Sequence, residues 1–152
     1  MIHNWFECKV RYEKMGENGV SKKVTEPYVF DALSFTEAEA RIIEEVTPYI
    51  NGEFEVTDIK KAKYSEIFFD MSVKSDRWFK FKVAFVTLDD KSGEEKESTT
   101  NMLVKASDLR DAIKNLDKGM EGSMADYHIR GVNETKIMDV YLYKKESERD
   151  NG

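Results

Sequence analysis

The chain is poor in the residues that usually announce a chemistry. Among 152 residues there is one cysteine, Cys8, so no internal disulfide can form. Cys8 lies in an apolar-alternating run and reads as a small core residue. Neither a second cysteine nor a Cys/His spacing suggests zinc. There are two histidines, His3 and His128, and they are too far apart in sequence to form a two-histidine metal motif. The eight glycines form no phosphate-cradling loop, and no nucleophile elbow is present. No window approaches the ~18 apolar residues of a membrane span. The opening "MIHNWFECKV" lacks the basic-then-apolar pattern of a leader peptide. These features point to a cytoplasmic protein with no catalytic residues, no cofactor, no metal and no membrane partner. Net charge is −6 rather than positive, which argues against coating duplex DNA by bulk charge. It leaves room for a local basic face.

What is present is apolar mass in periodic order. Hydrophobic residues make up 40% of the chain, including nine Phe, seven Tyr and two Trp, enough for a core without staples. In "WFECKVRYEK", Phe6, Cys8, Val10 and Tyr12 fall on one side and Trp5, Glu7, Lys9 and Arg11 on the other, the period of a half-buried strand. Gly16, Asn18 and Gly19 mark a turn. "VTEPYVFDAL" reads as a second strand, with Pro27 at an edge or bulge. "SFTEAEARIIEEVTPYI" reads as a helix, with Thr36 as its N-cap and Glu39 completing a capping box. "EFEVTDIKKAKYSEIFFD" reads as one long bent strand or two short ones, with a phase slip at Asp58.

The same order then recurs. "WFKFKV" at 78–83 echoes "WFECKV" at 5–10, an offset of 73. Val56 meets Ile129, Ile59 meets Val132 and Ile67 meets Val140 at that offset, and the phase slip recurs at Gly131. The helices align at an offset of about 70, with Ser107 as the second cap, which implies a shorter second hairpin. The expected fold is α+β: two tandem strand–strand–helix–strand repeats, mainly antiparallel, related by a pseudo-twofold axis. The repeats span 1–73 and 74–143 and form one intertwined domain, followed by a polar, frayed tail at 144–152.

With a helix on one face of each sheet, the other face carries Trp5, Lys9 and Arg11 in the first repeat and Trp78, Lys80 and Lys82 in the second. An antiparallel sheet can leave such a face wet. Aromatic rings stack bases and cations meet phosphates, so these six residues form a candidate site for single-stranded DNA or RNA. The same pattern also describes an ordinary solvated strand face. A second functional reading is a protein–protein adaptor or inhibitor, with a homodimer as one form of it, motivated by the apolar bulk of "IFF" at 67–69 and "VYLY" at 140–143. Glu66 and Asp139 align between the repeats and would make a paired-carboxylate site only if they met across the axis.

At "NWFECKVRYEK", "KKVTEPYVFDALSFTEAEARIIEE" and "GMEGSMADY" the chain resembles a small family of bacterial and phage proteins known only as a domain of unknown function. The resemblance runs from Asn4 to about Tyr143. It implies a bacterial or phage cytosolic protein and brings no activity, cofactor or catalytic residue. More loosely, the duplication is similar to the single-strand-binding folds of the Whirly and purine-rich-element type. Their unit runs four strands and then a helix, which this order matches only if the long third strand is split and the repeat boundary moved.

Overall fold

A computed structural model describes residues 3–143; the tail expected at 144–152 lies outside the described residues. The elements run β1 (Trp5–Met15), β2 (Ser21–Asp31), α1 (Phe35–Val46), β3 (Phe54–Ala62), β4 (Glu66–Phe68), β5 (Arg77–Leu88), β6 (Glu95–Ala106), α2 (Leu109–Gly119), β7 (Asp126–Glu134) and β8 (Val140–Tyr141). The fold is α+β with two four-stranded, mainly antiparallel sheets, ordered β3-β1-β2-β8 and β4-β6-β5-β7.

The duplication is visible in hydrogen-bond register. β1 pairs antiparallel with β2 and β3, and β5 pairs antiparallel with β6 and β7. The phase slips are β-bulges at equivalent places. Lys9 faces Asp58 while Val10 faces Val56, leaving Thr57 as the extra residue. Lys82 faces Gly131 while Val83 faces Ile129, leaving Arg130. Each bulge restores the apolar face after one unpaired residue, which is why the slips at Asp58 and Gly131 could be read in advance.

The helices start earlier in the first repeat and later in the second than expected. Ser34, not Thr36, caps α1: its Oγ accepts Glu37 N at 3.1 Å, and Glu37 Oε1 accepts Leu33 N at 3.1 Å. Asp108, not Ser107, caps α2, with Asp111 accepting from both the Ser107 N–H and hydroxyl at 2.9 Å. Both ends are reciprocal capping arrangements. With these caps the helices align at an offset of 74, so the second hairpin is longer by one residue, not shorter. Ala38, Ile42 and Val46 of α1 cover Phe6, Cys8, Val10 and Phe30; Ala112 and Leu116 of α2 cover Phe79, Phe81, Val83, Met102 and Val104.

The compact units do not coincide with the repeats. Residues up to Ala62 together with those from Ile137 onward make unit 1, and Lys63–Lys136 make unit 2. The boundary expected at 73/74 is displaced because the end of each repeat pairs in the sheet begun by the other. After β3 the chain enters the second sheet as β4, parallel to β6, with Phe68 opposite Val104. After β7 it enters the first sheet as β8, parallel to β2, with Tyr141 opposite Phe30. The long third strand is therefore two strands in two sheets. Pro27 precedes Val29, the first residue of β2 in register with β8; its carbonyl accepts Met138 N at 2.8 Å, and its missing N–H falls just before the paired residues, where no ladder bond is lost.

Equivalent side chains hold the exchanged strands. In unit 1 the buried Arg41 guanidinium donates from Nη1 to Asp31 O at 3.2 Å and to Leu142 O at 2.8 Å, and it lies over the Phe30 ring. In unit 2 the equivalent residue, Asn115, donates to Lys105 O at 3.0 Å and to Asp70 Oδ2 at 3.2 Å. Asp70 also accepts from the Ser75 hydroxyl and the Ser72 N–H, and these hydrogen bonds, that of Ser75 foremost, lower its pKa. Gly119 ends α2 against the ring of Phe68; a Cβ there would come within 2.6 Å of it. We predict that Arg41→Ala costs about 2–4 kcal/mol, because it leaves two carbonyls without their donor, and Asn115→Ala about 1–2 kcal/mol. Urea denaturation monitored by circular dichroism measures both, and a loss under about 0.5 kcal/mol for Arg41→Ala would show that its bonds are incidental.

Candidate functional site

The sequence-predicted stripe keeps its face but loses its rings. In unit 1, Trp5, Lys9 and Arg11 project from the side of β1 opposite Phe6 and Val10; in unit 2, Trp78, Lys80 and Lys82 do so from β5. Yet Trp5 is 5% exposed and Trp78 1%. The His3 ring stacks on Trp5 at 5.0 Å and is anchored by Nδ1 to Asp31 Oδ2 at 2.5 Å. Phe69 meets Trp78 edge-on at 5.4 Å, and the Lys105 ammonium lies 5.8 Å from its ring centroid. The ring surfaces that would stack a base are already used by the protein's own side chains. Trp5 and Trp78 are therefore structural residues, a correction to their expected role.

In unit 1 the cations of the stripe also face carboxylates, whereas in unit 2 Lys80 and Lys82 lie in register with uncharged residues. Glu7 pairs with Lys60 at 3.4 Å, Lys9 sits in register with Asp58, and Arg11 with Glu55. Lys80 is half-buried and Lys82 exposed. A signal for this second-face burial existed in the sequence. Met102, Leu103 and Val104 are consecutive apolar residues in β6, and all three are buried, as are Val29 and Phe30 in β2. Unbroken apolar runs mark strands covered on both faces.

Other candidates resolve into structural roles. Cys8 is fully buried; burial first, then Glu7 and Asp58, push its thiol up to about 12, so it stays protonated and inert. Asp139 Oδ1 accepts Val140 N at 2.9 Å and its carbonyl accepts Val29 N at 3.0 Å, which docks β8. Glu66 is exposed at the start of β4. Among the described residues no group of three or more His, Cys, Asp or Glu side chains is placed to hold a metal ion.

A concavity within unit 1 has no counterpart in the sequence-based expectations. The β1–β2 hairpin runs on to Met15 and Ser21, whereas β3 begins at Phe54, opposite Tyr12. Glu13, Lys14 and Met15 thus overhang the start of β3, and among the described residues no strand pairs with their outer edge. The space under this overhang, closed on the far side by the α1–β3 loop, is a groove of about 860 Å³. Tyr49, 81% exposed, stands on the loop side, and Tyr12, Phe54 and Met15 supply further apolar wall. The Tyr12 hydroxyl donates to Glu26 Oε1 at 2.7 Å; burial first and then Glu26 push its pKa up to about 12, so it remains a neutral phenol. The lining charges are balanced: Arg11, Lys14 and Lys23 against Glu13, Glu53 and Glu55. A projecting hairpin with a short neighbour is hard to see in sequence, because nothing local fixes where β3 starts; Gly52, at φ +93°, is the one marker.

The family described as Domain of unknown function (DUF4494) matches residues 4–143, nearly all of the described chain. The chain belongs to this family. No curated protein and no solved structure matches it, so the looser likeness to Whirly and purine-rich-element folds gains no support. No helix among the described residues is long and apolar enough to cross a membrane.

Burial of both indoles has a direct spectroscopic consequence. Tryptophan emission is expected to be blue-shifted and only weakly quenched by iodide, and a single-stranded oligonucleotide is expected to leave it unchanged. Strong iodide quenching, or quenching that saturates with oligonucleotide, would return the rings to the surface.

Proposed function

We propose that the protein is a non-catalytic binding module that engages a partner protein through the unit 1 groove, taking an extended segment beside the overhanging edge of β1. The observation that carries this reading is the groove itself: an unpaired strand edge flanked by aromatic and aliphatic wall. Strand addition draws affinity from main-chain hydrogen bonds and specificity from side-chain pockets. Tyrosine is a favoured anchor because it offers contact area at low entropic cost.

Lining charge favours polypeptide over nucleic acid. Three cations matched by three anions give a phosphate chain no net attraction, and the overall charge of −6 repels it at long range. The balanced mixture of signs suits the mixed side chains of a peptide. The location we infer is cytoplasmic, consistent with a single buried thiol that has no disulfide to form. The adaptor or inhibitor role is the form such binding would take; a second copy of this chain is one candidate partner.

A displayed random-peptide library selected on the full chain tests this. Selected peptides are expected to lose at least about tenfold in affinity on Tyr49→Ser and on Met15→Glu, with folding unchanged because both side chains are exposed. A twenty-nucleotide oligothymidylate is expected not to compete. Peptides indifferent to both substitutions would overturn the groove as the site. Oligonucleotide binding at low salt that falls on Lys9→Glu/Arg11→Glu would favour the nucleic-acid reading instead.

A further inference from the structure

The two repeats have diverged at one matched place. In unit 1, Tyr141 of β8 lies between Phe30, at 4.7 Å, and Tyr28, at 6.4 Å, and Glu45 on the last turn of α1 reaches toward Arg41 at 3.8 Å. By register and helix cap, the equivalents in unit 2 are Phe68, Val104, Met102 and Gly119. A tyrosine ring is replaced by a methionine and a glutamate side chain by hydrogen. Beside Phe68 in unit 2 there is a cavity of about 340 Å³. This inference concerns unit 2 alone and does not rest on the groove of unit 1.

The chemistry of the cavity selects a ligand class. Phe68, Phe85, Met102 and Met120 form its apolar wall, and rings and thioethers are soft, polarisable surfaces. Glu66 and Glu121 stand among the lining residues, with Ser65 and Ser123 as further acceptors, and no Lys, Arg or His lines it. An anion would meet two carboxylates. A neutral apolar molecule would leave them unused. A cation with an apolar body gains from both carboxylates and from the faces of the phenyl rings. The volume lies at the lower end of small-molecule sites, which limits the ligand to roughly one ring and a short chain.

We propose that the cavity between β4 and the end of α2 is a binding site for a small organic cation with an apolar body, of the arylalkylammonium class. The apolar part sits on Phe68, Phe85, Met102 and Met120, and the ammonium lies at the Glu66 and Glu121 rim. Gly119 keeps the floor low, since any side chain there would first displace Phe68.

The test is methyl NMR of the full chain carrying ¹³C-methyl methionine, titrated with 2-phenylethylammonium, 3-phenylpropionate and propylbenzene. The amine is expected to shift the Met102 and Met120 methyls saturably, with Kd on the order of 1–10 mM. The carboxylate is expected to bind at least about tenfold more weakly. Glu66→Gln/Glu121→Gln should weaken the amine about three- to tenfold and leave propylbenzene unchanged. Ser123→Trp, which places a ring at the mouth, should abolish the methyl shifts without altering the circular dichroism spectrum. Non-saturating shifts, equal binding of amine and carboxylate, or an amine affinity untouched by both glutamine substitutions would overturn the proposal.

Discussion

Everything in this fold depends on where two short strands go. β4 and β8 contribute three and two residues of parallel pairing, the smallest elements among the described residues. Each nevertheless delivers an aromatic ring, Phe68 or Tyr141, against a core that its own repeat does not build. Neither sheet is complete without a strand from the other repeat. The local hydrogen bonds are spent accordingly: Arg41 and Asn115, at equivalent helix positions, each bridge the end of the second strand to the segment that carries the exchanged strand. Two repeats of one sequence thus become a contiguous unit, 63–136, inserted into a discontinuous one.

Much of this was legible in the sequence, for physical reasons that differ by element. β1 and β5 alternate because one face of each meets a helix, and the shared phrase around Trp5 and Trp78 reports the shared register. The bulges showed because an extra residue must displace every later side chain to the wrong face unless the pattern shifts with it. The strand exchange did not show. The stretch from Ala62 to Glu66 carries no glycine or proline, so nothing marks the point where the chain leaves one sheet for another. Helix caps were misplaced because Ser34, Thr36, Ser107 and Asp108 all satisfy the local rule, and only the packing of Ala38 and Ala112 decides among them.

The candidate site was legible only in part. Alternation correctly put Lys9 and Arg11 on the face of Trp5, and Lys80 and Lys82 on that of Trp78. It could not say that His3 and Phe69 lie against the indoles, since those contacts join residues whose proximity the fold alone determines. The groove depends on a difference in length between two strands, and the unit 2 cavity on a difference between two repeats. After duplication the shared positions keep the fold, whereas the divergent ones, Tyr28 against Met102 and Glu45 against Gly119, are where separate binding properties can arise without disturbing it.

The central claim is that the folding unit is set by strand exchange rather than by the sequence repeat. Two fragments of similar length separate these ideas: 63–136, which contains β4 with β5, β6, α2 and β7, and 74–143, which follows the repeat and lacks β4. The account predicts a cooperative urea transition for 63–136. For 74–143 it predicts none, or an unfolding free energy lower by several kcal/mol, because the β6 edge and the Gly119 face lose Phe68. A fragment 74–143 as stable as 63–136 would contradict it.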